Sequence, residues 1–330
     1  RTFLTNVTQG GVVTFAGNLS NTNTTIFSKT GFSEMVLSGT NAQINTNTAD
    51  TNYGRSVYID QGILTVGQDA NIGSTSILAT AQSHVNGPGD VVIRGGVFRT
   101  TGSFSTARQF VLSTAAGGLD VTSGNTLTLT APTAGALALT KFGTGTLALN
   151  PASNGNNTIT TLTIGGAPLA LAPTMVTGGS TGGVVTTSNV SGAPYAATAV
   201  TLNGGVLEST GAGAALTVPT INFGGGSYVR MNRSGSTAQI TATALTRTAQ
   251  GTLTIVPSSL AALGAASNFE VLNTGTTYTS TNGMLVTPTV VVNDPASGDL
   301  SFARWVTGSG ASKGFMVSNA TTVSSVVTSA

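Results

Sequence analysis

The sequence predicts an all-β fold built from stacked coils, a β-solenoid, on three observations. Apolar residues alternate with polar ones over short runs, glycine and asparagine punctuate those runs, and segments of the chain repeat. Alternation with period two places one face of each run inward, as a half-buried strand requires. It is clearest in TLTLT at 126–130, TITTLTI at 158–164, TAVTL at 198–202, GTLTIV at 251–256 and PTVVV at 288–292. Gly, Asn, Pro or Ser bounds each run, and these residues accept turn geometry. Helical periodicity is confined to SSLAALGAASNF at 258–269, where the spacing predicts a short helix limited by Gly264.

The repeats take two forms. One template, an apolar residue, two turn-type residues, Gly or Ala, any residue and then an apolar one, recurs as IDQGIL (59–64), IRGGVF (93–98), IGGAPL (164–169), LNGGVL (202–207) and FGGGSY (223–228). Separately, KTGFSEMVL (29–37) aligns without a gap on KFGTGTLAL (141–149), matching Lys29 with Lys141, Gly31 with Gly143, and Met35 and Leu37 with Leu147 and Leu149. A single coil of this length cannot bury its apolar face alone, whereas stacked coils align their inward residues into one core. A β-sandwich explains the strands but not the duplicated segment or the recurring corners. The turn-forming residues are therefore Gly31, Gly62, Gly95, Gly96, Gly143, Gly145, Gly165, Gly166, Gly204, Gly205, Gly224 and Gly225. Lys29 and Lys141 are expected to point outward at equivalent corners.

Composition narrows the function. Charged residues are 7% of the 330, against about 25% in ordinary globular proteins. With 12 Lys and Arg against 10 Asp and Glu there is no field to attract nucleic acid. No stretch approaches the roughly 20 apolar residues of a spanning helix, so no transmembrane segment is expected. The absence of cysteine excludes disulfides and thiolate metal sites. The chain starts at Arg1 without Met, which suggests a processed or trimmed product.

Catalytic chemistry finds few residues. A phosphate loop needs glycines before its lysine and a helix after it, but Lys141 precedes its glycines and strands flank it. His84 has no second His or Cys beside it in ATAQSHVNGPGD, so a solvated loop histidine is the simpler reading. Asp60, Asp90, Asp120, Asp294 and Asp299 stand in turn settings, with a weak calcium site among them as the alternative. A β-helical polysaccharide lyase or glycosidase would need carboxylates, or a basic residue with acidic metal ligands, gathered on one face. The closest cluster is Arg94, Arg99 and Arg108, which as an outward row would suit an acidic glycan. Seven Asn-x-Ser/Thr sequons, at Asn6, Asn18, Asn23, Asn156, Asn189, Asn232 and Asn319, fit a Thr/Asn surface and establish no glycosylation. No cofactor and no metal is expected.

LTKFGTGTLALNPASNGNNTITTLTIGGAPLAL (139–171) resembles the passenger-associated repeat of bacterial autotransporters, with its L-T-K-x-G-x-G-x-L-x-L core and G-G-x-L corner. The Tyr and Gly of that family's N-T-Y-T-G step are missing after Asn157 and Thr158, and Ser33 replaces the second Gly in the upstream copy. RQFVLSTAAGGLDVTSGNTLTLT (108–130) is similar to the rung that precedes the repeat, and later segments from LNGGVL to DLSFARWVTGSG resemble repeat-rich surface proteins of the same group. The resemblance implies a right-handed parallel β-helix, secreted or held at the bacterial cell surface. It is nearly silent on activity, and no counterpart of the family's outer-membrane barrel is expected within these 330 residues.

Taken together, residues 1–330 read as one continuous solenoid with repeat copies near 26–67 and 137–171, and a more irregular β section over 230–330. Phe3, Val7, Val12 and Val13 near one end, and Val323, Val326 and Val327 near the other, read as uncapped strands, and open strands template association. The leading functional expectation is a non-enzymatic extracellular fibre that assembles head-to-tail with copies of itself. The alternative is an adhesin stalk binding surface glycans through Arg, Asn and aromatics such as Tyr53, Tyr58 or Trp305.

Overall fold

A computed structural model describes residues 3–4, 11–19, 27–41, 57–73, 90–113, 117–131, 133–135, 138–149, 159–165, 184–187, 199–209, 216–231, 238–248, 250–265, 270–275, 277–281, 284–285, 289–308 and 313–318. They form an all-β protein dominated by three long sheets. A five-stranded sheet holds Phe3–Leu4, Phe27–Thr30, Val57–Ile59, Val91–Ile93 and Phe110–Leu112, all parallel. An eleven-stranded sheet, also wholly parallel, runs from Val12–Phe15 through Glu34–Leu37, Ile63–Val66, Val97–Thr100, Gly117–Val121 and Ala138–Phe142 to Glu270–Thr274. A ten-stranded sheet starts at Phe104–Thr106 and is parallel as far as Val290–Asn293.

The chain visits the sheets in rotation. Val91–Ile93, Val97–Thr100 and Phe104–Thr106 lie in the five-, eleven- and ten-stranded sheets in turn, and Phe110–Leu112, Gly117–Val121 and Thr126–Leu129 repeat the round one place further along. Beyond Ala134, which makes an isolated parallel bridge to Val111, the described strands alternate between the two longer sheets as far as Glu270–Thr274. Parallel neighbours that are distant in sequence need such crossovers, and the arrangement is compatible with a β-solenoid.

The alternation read from the sequence fixes which side chains face inward. Met35 and Leu37, Leu127 and Leu129, and Leu162 and Ile164 are buried, with intermediate neighbours between them. They belong to one apolar cluster that extends from Phe27 to Phe315. Two smaller clusters lie apart from it: Ile63, Val97 and Phe142, and Val92 with Val111 and Ala134. The first depends on Gly118, where a Cβ would come within 2.3 Å of the Phe142 ring.

Four of the five Gly-rich templates are strand–corner–strand units, and the corner they make changes along the chain; IGGAPL passes out of the described residues after Gly165. IDQGIL and IRGGVF lead from the five-stranded into the eleven-stranded sheet, whereas LNGGVL and FGGGSY lead from the eleven-stranded into the ten-stranded one. Gly31, Gly62, Gly95, Gly143, Gly165, Gly204 and Gly225 have positive φ there, while Gly166 lies outside the described residues.

The predicted helix at 258–269 is not formed over its described part. Residues 258–265 turn through i→i−3 bonds from Ala262 to Ser259 and from Ala265 to Ala262, and Leu263 makes a parallel bridge to Glu270. Gly264 adopts φ +72°, which leaves helical space one turn after the start. A short 3-10 helix, Asp69–Ile72, stands where no helix was expected.

The stacking pattern changes at its C-terminal end. Leu300–Val306 pairs antiparallel with Val290–Asn293, and Gly314–Val317 pairs antiparallel with Leu300–Val306. Trp305 and Phe315 meet edge to face at 4.9 Å, with Tyr278 against both. A Cβ on Gly314 would approach the Leu272 carbonyl oxygen within 2.6 Å, so this hairpin lies close over the last strand of the eleven-stranded sheet.

Candidate functional site

The duplicated lysines are the first candidates, and their placement corrects the expectation. Both side chains are fully buried instead of pointing outward. Lys29 Nζ donates to the carbonyls of Thr30, Gly31 and Gln61 at 2.9, 2.7 and 3.2 Å. Lys141 Nζ donates to the equivalent carbonyls of Phe142 and Gly143 at 2.5 and 3.0 Å. A positive-φ corner turns successive carbonyls toward its inside, and the amine fills that nest of acceptors. Burial pushes both amines from 10.5 down to about 8, and for Lys141 the Asp120 carboxylate opposes that shift. The conserved geometry sits at two different corners, since Lys29 precedes the eleven-stranded sheet and Lys141 the ten-stranded one.

The three arginines do not form an outward row. Arg99 bridges two strands of the eleven-stranded sheet, binding Asp120 through Nε at 2.7 Å and Glu34 through Nη1 at 3.1 Å. Thr65, on the strand between, donates to the other oxygen of Glu34 at 2.5 Å. Arg108 is fully buried and holds Asp69 and the Gly73 carbonyl, both at 2.8 Å. Arg94 is the most open of the three, with its side chain 35% exposed. Its Nε binds Asp60 at 2.6 Å, Ser28 donates to the same carboxylate, and the guanidinium lies 4.2 Å over Tyr58.

This arrangement joins acids to bases. Glu34 and Asp120 converge on a guanidinium instead of on an open cleft, and Glu208 lies 3.7 Å from Arg230. Glu270 accepts from the Ser258 backbone N–H. Asp294 accepts from Ala296 N–H and Ser297 Oγ inside its own turn. Among the described residues no three His, Cys, Asp or Glu side chains gather as a metal site. His84 lies outside the described residues.

The aromatic residues of the glycan reading are engaged too. Trp305 is 6% exposed within its aromatic cluster, Tyr58 is half-buried beneath Arg94, and Tyr53 lies outside the described residues. Of the strands expected to mediate assembly, Phe3 pairs in register with Lys29, and Val12 and Val13 belong to the end strand Val12–Phe15, with Val12 exposed. Val7, Val323, Val326 and Val327 lie outside the described residues.

One concavity was missed in the sequence. Leu260, Leu263, Arg304, Val306, Met316 and Val317 line a groove of about 360 Å³ between the turns at 258–265 and the antiparallel hairpin. Its one readable signal was the alternation in LSFARWV, which sends Ala303 and Trp305 inward and Arg304 and Val306 to the other face. The opposing wall comes from the segment misread as a helix.

Neither a family model, nor a curated protein, nor a solved structure matches this chain.

Proposed function

We propose that the chain is a structural β-solenoid, a right-handed parallel β-helix, that serves outside the cell as the rod or stalk of a bacterial surface protein and is not an enzyme. The observation that carries this reading is the pair of long sheets, with one apolar core shared along them. The right hand of the helix is taken from the resemblance of 139–171 to the passenger-associated repeat. The resemblance of 139–171 to the passenger-associated repeat supports the location. Acids joined to bases support a scaffold over a catalyst, because a general acid or base needs a polar group left free for substrate.

Head-to-tail assembly needs an accepting sheet edge at each end. At the C-terminal end of the stack, the ten-stranded sheet has turned antiparallel, and Leu263 bridges the last strand of the eleven-stranded sheet at Glu270. The stalk reading takes this change of direction as the end of parallel growth, and the fibre reading takes it as the edge that the next copy would meet. Sedimentation velocity with negative-stain imaging at high concentration tests the choice. Single elongated particles are expected, and long uniform fibres would restore the head-to-tail reading.

A further inference from the structure

We propose that the outer face of the ten-stranded sheet, at its C-terminal end, binds a second copy of the chain in an antiparallel pair closed by a two-fold axis. Four strands make the face: Gly226–Met231, Thr252–Val256, Val290–Asn293 and Leu300–Val306. Tyr228, Thr254, Val291 and Phe302 occupy one register column across them. Arg230, Val256, Asn293 and Leu300 stand two residues along the same strands. Val229, Ile255, Val292 and Ala303 belong to the core, so alternation sends their neighbours in these columns to the outer face. There Leu300 is 64% exposed, Phe302 51% and Tyr228 39%. Large apolar side chains left in water side by side mark an interaction surface.

The two ends of the face carry opposite charge. Arg230 flanks Tyr228, and its side chain is 41% exposed with Glu208 3.7 Å away. At the other end, the turn before Leu300 holds Asp294 and Asp299. Asp299 is exposed, and its carboxylate has no ion pair among the described residues. A two-fold contact matches a surface to itself, residue i meeting j and j meeting i. An axis along the strand direction, midway between Thr252–Val256 and Val290–Asn293, makes that match. It lays Tyr228 of each copy on Phe302 of the other, and Arg230 of each over Leu300 and Asp299 of the other. Apolar side chains then leave water at the centre, with an ion pair at each rim. A second copy brings each charge to its opposite, which an apolar surface alone does not. The face spans about 19 Å of stack, four strand spacings. That is small for a stable interface, so the pair dissociates in the range of about 10–100 μM. Closed at two, it remains a discrete elongated particle and not a fibre. The inference does not depend on the solenoid being a stalk.

The test is sedimentation equilibrium of the whole chain from about 5 to 500 μM, which brackets that range. A monomer–dimer equilibrium is expected. Phe302→Ser, at an exposed position, should weaken pairing by about thirtyfold, as the loss of a central aromatic does. Asp299→Lys should weaken it by about tenfold, and adding Arg230→Glu to that variant should recover most of the loss. If the double variant fails to fold, Leu300→Ser replaces it and should weaken pairing by about tenfold. Monomer throughout the range, pairing unchanged by Phe302→Ser or Asp299→Lys, or a folded double variant no better than Asp299→Lys would each overturn the proposal. So would a monomer that floats with phosphatidylcholine vesicles and loses this with Phe302→Ser, since the face would then belong to a lipid surface.

Discussion

A lysine amine removed from water must take its hydrogen bonds from the acceptors within reach. At Lys29 and Lys141 those acceptors are the carbonyls of the corner itself, so each lysine fastens the turn that buries it. The folded-state values near 8 lie below the unfolded 10.5. Between them the unfolded chain binds more protons, so folding stability rises as pH increases from about 8 toward 10.5. The denaturation midpoint of the wild type should therefore climb relative to Lys141→Met over pH 8 to 10, by at most about 1.4 kcal/mol per pH unit. A parallel pH dependence in the two proteins would show that Lys141 titrates as it does in water.

Two glycines separate conformation from crowding. Gly62 has φ +68° and a Cβ there would fall 2.4 Å from the carbonyl oxygens of Gly31 and Ser33. Gly124 has φ +77° with open space around it. Gly124→Ala should cost about 1 kcal/mol from backbone strain alone, and Gly62→Ala clearly more, since the backbone at Gly31 and Ser33 must also move. Urea denaturation of the two variants makes the comparison. Gly corners and inward alternation were legible in the sequence because both are local properties. The orientation of Lys29 and Lys141 was not, because a charged side chain reads as exposed until its acceptors are placed.

At the scale of elements, the eleven-stranded sheet carries an outer clamp. Arg99 ties Val97–Thr100 to Gly117–Val121 on one side and, past Ile63–Val66, to Glu34–Leu37 on the other. Arg99→Met leaves two largely buried carboxylates without their partner and should cost roughly 3 kcal/mol. Arg94→Met removes a more exposed pair and should cost less than about 1 kcal/mol. Thermal unfolding of both variants checks the ranking, and equal losses would deny the clamp. Asp120 and Glu34 are 86 residues apart, so sequence spacing could not bring them to one guanidinium. The helix expected at 258–269 failed for a related reason. Its alanines and leucines have helical propensity, but Gly264 and the pairing of Leu263 with Glu270 outweigh it.

At the scale of the whole molecule, repetition makes one core from many short strands, and the aromatic cluster of Tyr278, Trp305 and Phe315 ends its parallel run. Phe315→Ala empties a fully buried site and should cost about 3–5 kcal/mol. Hydrogen exchange should then speed up first in Glu270–Thr274 and Leu300–Val306, and uniform acceleration along the chain would argue against a local closure. All-β character was visible in the sequence, since each short run states its own strand and its bounding turn residues. The antiparallel ending was not, because LSFARWV alternates like any other strand and nothing in it records pairing direction.

The absence of cysteine makes the central claim directly measurable. Thr126, Thr146, Val184, Val206, Tyr228, Thr254, Val291 and Phe302 occupy one register column across the ten-stranded sheet. Spin labels on single cysteines at Thr126 and Tyr228 should lie about 19 Å apart, and at Thr126 and Phe302 about 34 Å, four and seven strand spacings of about 4.8 Å. Distances that grow in this proportion are the result a stacked rod predicts. A Thr126–Phe302 distance no longer than that of Thr126–Tyr228 would contradict it.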